Sequence, residues 1–156
     1  MRDRLKIAVV VVVLATLAMS VPGGSAPSPA RVTFTTAGDH SSSTNARAVF
    51  AEIGALGRDA HFALGDLSYG ATGGEQSWCN TVLDGVGVGF PFELVAGNHE
   101  SNGQNGNIND FSACLPNQLP GAVGTYGRQY YVDVPQEQPL VRFVMITVDD
   151  LIAVEP

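Results

Sequence analysis

Three times in this chain a short apolar run meets a glycine, and an acid or an amide follows at once: Gly38-Asp39, Gly65-Asp66 and Gly97-Asn98. The runs before them are Arg31–Thr36 (RVTFTT), Ala60–Leu64 (AHFAL) and Pro91–Ala96 (PFELVA). Short apolar runs with β-branched and aromatic residues, closed by turn residues, predict strands. Between the first two runs, Ser41–Thr44 offers several helix N-caps. Ala46, Val49, Phe50, Ile53 and Leu56 then recur at helical spacing, and Gly57 is placed to end the helix. A Gly-rich loop covers 70–74, and Glu75–Leu83, with Trp78 and Cys79, predicts a second short helix. Strand–helix–strand–helix–strand is the pattern of a parallel sheet in an α/β fold. Ligands bind such open sheets at the carboxyl ends of the strands. Asp39, Asp66 and Asn98 are therefore expected to converge there although they are far apart in sequence.

Downstream, SNGQNGNIND at 101–110 predicts a polar Asn/Gly loop, and Tyr130–Val134 and Leu140–Val148 two further strands. No internal repeat is present. With 45% apolar and 15% charged residues the chain has the means to bury a core. The 18 glycines and 9 prolines suit a loop-rich protein better than a helical bundle. A net charge of −7 argues against a nucleic-acid-binding surface. An acidic protein that handles anionic substrates needs local positive charge, and bound metal ions supply it.

The first thirty residues carry a separate signal. Arg2, Arg4 and Lys6 precede an apolar run from Ile7 to Met19, and the small-residue tail VPGGSAPSPA follows. That order predicts a signal peptide over 1–30, cleaved after Ser20, Ala26 or Ala30, with an uncleaved anchor as the alternative. The run is short against the ~20 apolar residues of a membrane-spanning helix. The mature chain, 31–156, is expected outside the cytoplasm, with no membrane contact beyond the signal sequence. In an exported protein the two cysteines, Cys79 and Cys114, are expected to pair, the alternative being two buried thiols. Such a bridge stabilises by roughly 3–4 kcal/mol on the loop-entropy account.

Two carboxylates at the ends of adjacent strands repel one another unless one is protonated or a cation lies between them. A carboxylate can bridge two metals, and an amide oxygen such as that of Asn98 is a good hard-metal ligand. Tyr69 follows Asp66 by three residues, and a phenolate suits Fe(III). Each element also has an ordinary explanation. A Gly-Asp pair after a strand is often a turn or a cap, Tyr69 a half-buried aromatic, His61 a core or surface histidine, and His40 a helix cap.

Taken together and in order, Gly38-Asp39, Gly65-Asp66-Leu67-Ser68-Tyr69 and Gly97-Asn98-His99-Glu100 resemble the first three motif blocks of the calcineurin-like metallophosphoesterases. The GDLSY form resembles the purple acid phosphatase branch. The resemblance runs from about Arg31 to about Asp150. It implies an αββα sandwich, represented here by its amino-terminal half, and an exported dimetal hydrolase of phosphomonoesters or phosphodiesters. It implies two metal ions, Fe with Zn, Mn or a second Fe. Asp39 and Tyr69 would hold the first, Asp66 would bridge both, and Asn98 would hold the second. His99 would contact the phosphate and help the leaving oxygen depart, and Glu100 would support His99 or its loop.

Two departures stand out. Where the purple acid phosphatase block has Gly two residues after the Asp, this chain has Ser41, with His40 between. The family also places three more histidines downstream, and here none follows Glu100; the three present are 40, 61 and 99. The alternatives are therefore a secreted, non-catalytic binding or structural module, or an inactive fragment.

Overall fold

The structure, a computed structural model, describes residues 30–147 apart from 71–72, 102–104 and 116. The expected signal peptide falls almost wholly outside the described residues, as does the last residue of the strand expected over 140–148. Among the described residues, no helix is long and apolar enough to cross a membrane.

The predicted alternation forms. Strand β1 (Phe34–Ala37) leads to α1 (Thr44–Ala55), β2 (Ala60–Ala63), α2 (Gly74–Val86) and β3 (Phe92–Leu94). Ser43 opens α1, its hydroxyl accepting from the Ala46 amide at 3.2 Å. Gly57, just past the cap at Leu56, takes a left-handed φ of 56°, the conformation that commonly ends a helix. The helix buries a narrower stripe than its spacing predicts. Ala46, Phe50 and Ile53 face the core, whereas Val49 and Leu56 flank that row and are exposed.

The three strands pair in parallel in the order β1-β2-β3, with Thr35 opposite His61 and His61 opposite Phe92. Every residue of β2 and β3 is buried, as expected for a parallel sheet covered on both faces. On one face lie α1, α2 and α4 (Ile108–Cys114), where Phe50, Trp78, Phe92 and Phe111 pack edge to face. On the other lies an antiparallel sheet of β4 (Val123–Gly124), β5 (Tyr130–Val134) and β6 (Val141–Met145), in that order. Phe62 and Val95 meet Tyr130, Val132, Val134 and Met145 there. The fold is thus mixed α/β, with a small parallel and a small antiparallel sheet.

One expectation is overturned. The polar stretch after the third motif is not simply a loop, for Asn98–Ser101 forms a short helix, α3, and α4 begins at Ile108. Asn107 caps α4 through its side chain, and Ile108, Phe111 and Leu115 are buried beneath it. Asparagine density that suggests a loop thus includes a helix cap. The cysteine pair is a disulfide: Cys79 of α2 joins Cys114 of α4, with Cα atoms 5.9 Å apart.

Candidate functional site

The loops that leave β1, β2 and β3 meet at one rim. The loop after β1 extends the sheet pairing past its last strand residue: Asp39 donates its amide to the Gly65 carbonyl (3.2 Å), His40 to Asp66 (3.0 Å) and Ser41 to Leu67 (2.9 Å). The second and third loops touch back to back. A Cβ on Gly65 would overlap the backbone of Gly97, and one on Gly97 would overlap Asp66. Gly65 also sits at φ 89°. Only glycine permits both the conformation and the approach. Gly38 meets nothing closer than 3.6 Å, so its missing side chain is not demanded by space.

Glu100 fastens the two loops. Its buried carboxylate accepts from the amides of Leu67 (2.8 Å), Asp66 (3.0 Å) and Gly97 (3.1 Å). Three charge-assisted bonds from two loops make this side chain a clamp. Glu100, expected to support His99 or its loop, thus bonds the backbone of both the Asp66 loop and the loop that leads to His99.

Among the described residues, four non-glycine residues take left-handed φ values: Asp39 (55°), Ser41 (62°), Asp66 (52°) and Tyr69 (51°). Three of them are expected ligands. Such backbone costs on the order of 1–3 kcal/mol per residue and persists where its surroundings over-determine it, which happens most often at functional sites.

The strained turns bring three oxygens together. The Tyr69 hydroxyl is hydrogen-bonded to Asp39 Oδ1 and, at 3.1 Å, to Asp66 Oδ2. The hydrogen bond to Asp39, then lost solvation and the bond to Asp66, hold the phenol well above its ordinary pKa. His99 closes the cluster. Its ring centroid lies 4.7 Å from that of Tyr69, its amide donates to Asp66 Oδ1 at 3.4 Å, and its Nε2 stands 3.9 Å from Asp66 Oδ2. Asn98 is the first residue of α3 and is exposed. No hydrogen bond among the described residues joins its side chain to Asp39, Asp66 or Tyr69.

His40 is not the helix cap, which is Ser43; it is buried next to Asp39, stacked on Phe50 with ring centroids 5.5 Å apart. Its Nε2 meets His61 Nε2 at 3.3 Å, and His61 Nδ1 meets the Thr35 hydroxyl at 2.8 Å. Burial pushes His40 down to about 4 and, with the neighbouring His40, His61 down to about 3. Both are neutral core histidines. Sequence reasoning misses Asn105, whose side-chain oxygen lies 2.6 Å from His99 Nδ1. Its only sequence signal is a place a few residues after a histidine in an Asn-rich loop.

The donor chemistry tests whether a cation suits this rim. Two carboxylates and a phenol converge on one hydroxyl proton, an excess of acceptor oxygen over positive charge that a hard cation would relieve. Asp39, Asp66 and Tyr69 fit the oxygen part of such a donor set. Among the described residues no three His, Cys, Asp or Glu side chains gather as a cage.

No family model, no curated protein and no solved structure matches this chain.

Proposed function

We propose that this chain carries the first three motif blocks of an exported, dimetal-dependent phosphate ester hydrolase of the purple acid phosphatase type. The observation that carries the reading is the sharing of one Tyr69 hydroxyl between Asp39 and Asp66 at the carboxyl edge of a parallel sheet. The layering of helices, parallel sheet and antiparallel sheet agrees with three layers of an αββα sandwich.

In this reading Asp39, Asp66 and Tyr69 hold the metal pair, Fe with Zn, Mn or a second Fe, and Asn98 lends an amide oxygen to the second position. When bound, the metals supply positive charge for an anionic ester and acidify a water at the rim. The chain's own residues do the rest. Glu100 keeps the loops of Asp66 and Gly97 at fixed separation, so the carboxylate of Asp66 is aimed before any ligand arrives. The Tyr69 ring packs against His99 and restricts its swing. His99 presents Nε2 toward Asp66, where the doubly protonated ring can bind a phosphate oxygen and give its Nε2 proton to the departing alkoxide.

The test is hydrolysis of a chromogenic phosphate ester by the chain in the presence of Fe, Zn or Mn. Metal-dependent turnover is expected, and Asp66→Ala should reduce it by more than the ~10- to 100-fold that loss of a mere supporting partner costs. The rival reading is a non-catalytic secreted module. Hydrolysis no greater than that of Asp66→Ala, with no metal retained, would establish the rival.

A further inference from the structure

The Asn105–His99 contact is a built arrangement rather than a chance approach. The Asn105 backbone is held on both sides: its amide donates to the His99 carbonyl at 3.2 Å, and its carbonyl accepts from the Ser68 hydroxyl at 2.9 Å. Ser68 in turn accepts from the Gly70 amide at 3.3 Å. Two residues onward the chain is tied again, with the Asn107 amide on Glu75 of α2 at 2.8 Å. The side chain of Asn105 is thus set in place by the second motif loop, the third motif helix and α2 together. Its amide nitrogen faces Gly70, where an added Cβ would lie 3.3 Å from it. Its oxygen faces His99 Nδ1 at 2.6 Å.

An amide oxygen only accepts. Nδ1 must therefore be the protonated nitrogen in this contact, in the neutral ring and in the cation alike. The tautomer of a histidine is set by the bond its other nitrogen makes. We propose that Asn105 is the positioning residue of His99, its amide oxygen holding Nδ1–H so that Nε2 is the nitrogen turned to the Asp39–Asp66–Tyr69 rim. The Tyr69 ring and the Asn105 side chain then hold the imidazole from two directions, one by contact and one by a hydrogen bond. The consequence for catalysis rests on the function proposed above; the tautomer does not.

The experiment is nitrogen NMR of the full chain labelled at histidine, above pH 7 and without added metal, with the His99 signals assigned by their loss in His99→Asn. Protonated and bare ring nitrogens have separate shifts. The expected result is Nδ1–H with bare Nε2 in the wild type, a shift to the Nε2–H form in Asn105→Ala, and retention of Nδ1–H in Asn105→Asp, whose carboxylate also accepts. Should the alanine variant fail to fold, Asn105→Leu, near in size and without an acceptor, takes its place. An Nε2–H tautomer in the wild type, or an unchanged tautomer in the Ala or Leu variant, overturns the proposal. If the chain hydrolyses phosphate esters, Asn105→Ala should lower kcat about tenfold with little change in KM, and Asn105→Asp should restore it. If no form hydrolyses, the functional reading falls and the tautomer result still stands.

Discussion

The parallel and antiparallel sheets share a core, yet the candidate site lies at the edge of only one of them. β2 and β3 are buried along their whole length, whereas β5 alternates buried and half-buried positions and β6 alternates half-buried with exposed ones until its last residue. Among the described residues, the four left-handed non-glycine positions all lie in loops that leave β1 and β2. On the outer face of the antiparallel sheet the polar contacts are ordinary: Arg142 forks onto Asp133 with two 2.8 Å bonds and lies over the Tyr131 ring. Strand direction accounts for the difference. Parallel strands all end at one edge, so the loops that follow them meet. Successive antiparallel strands end at opposite edges, so their loops are kept apart.

The comparison breaks most sharply at the glycine that lets two of those loops touch. Gly65→Ala places a Cβ against the Gly97 backbone, in a residue already at φ 89°. Left-handed strain and overpacking against immovable backbone together should cost about 3–5 kcal/mol. Gly57→Ala is the control. Its φ is 56°, but nothing lies within 4 Å of the added atom, so about 1 kcal/mol is expected. Denaturant unfolding of the two variants measures the gap. Equal costs would mean that the contact between the second and third loops is not what demands glycine at 65.

A second prediction sets the two faces of the parallel sheet against each other. His61 points to the helical face and Glu93, next along in register terms, to the antiparallel one, where it accepts from the Leu119 amide and the Tyr130 hydroxyl. Burial, and then His40, lower His61 from the ordinary 6.5 to about 3. The unfolded chain thus takes a proton near pH 6.5 that the folded chain refuses. The stability His61 contributes is full above pH 6.5 and is lost as pH falls from there toward 3. Glu93 runs the other way. Burial raises its carboxyl above 4.5, against the pull of its hydrogen bonds. Its contribution is full below pH 4.5 and is lost as pH rises through the folded value. Melting temperature against pH should show His61→Leu flattening the limb between pH 6.5 and 3. Glu93→Gln should leave that limb in place and change the curve only above about pH 4.5. An unaltered acid limb in His61→Leu would refute the account of His61 as a buried neutral base.

The contrast also explains what was legible in the sequence. Gly65-Asp66 and Gly97-Asn98 mark strand ends because the turn there requires glycine, and glycine is visible in a sequence. The meeting of Asp39, Asp66 and Tyr69 follows from strand direction, which the alternation with helices implies. The fine structure was not legible. His61 and Glu93 stand in apolar runs with nothing local to say that Thr35, His40, Tyr130 and Leu119 would satisfy them. Helix α4 was hidden because Asn107 is both a loop former and a cap, although Ile108, Phe111 and Leu115 already showed helical spacing. Asn105 was invisible because its role depends on where Ser68 and His99 come to rest, and that is set by tertiary contacts.

The smallest expected effect tests the outer face of the antiparallel sheet. Val132 and Val144 are the same residue type on neighbouring strands, but Val132 is fully buried against the parallel sheet and Val144 is 61% exposed. Val144 stands opposite Tyr131, on the face that looks away from the core. Val132→Ala removes two methyls from a packed layer and should cost about 2–3 kcal/mol. Val144→Ala removes them from a side chain that folding leaves mostly in water, so about 0.5 kcal/mol, chiefly strand preference, is expected. Denaturant midpoints at several protein concentrations decide the matter. If the two variants cost the same, Val144 is covered in solution, and the outer face of the antiparallel sheet is a buried surface like the one that faces β2. If the Val144 cost also grows with protein concentration, the cover is a second copy of the chain, because only an association equilibrium makes stability depend on concentration.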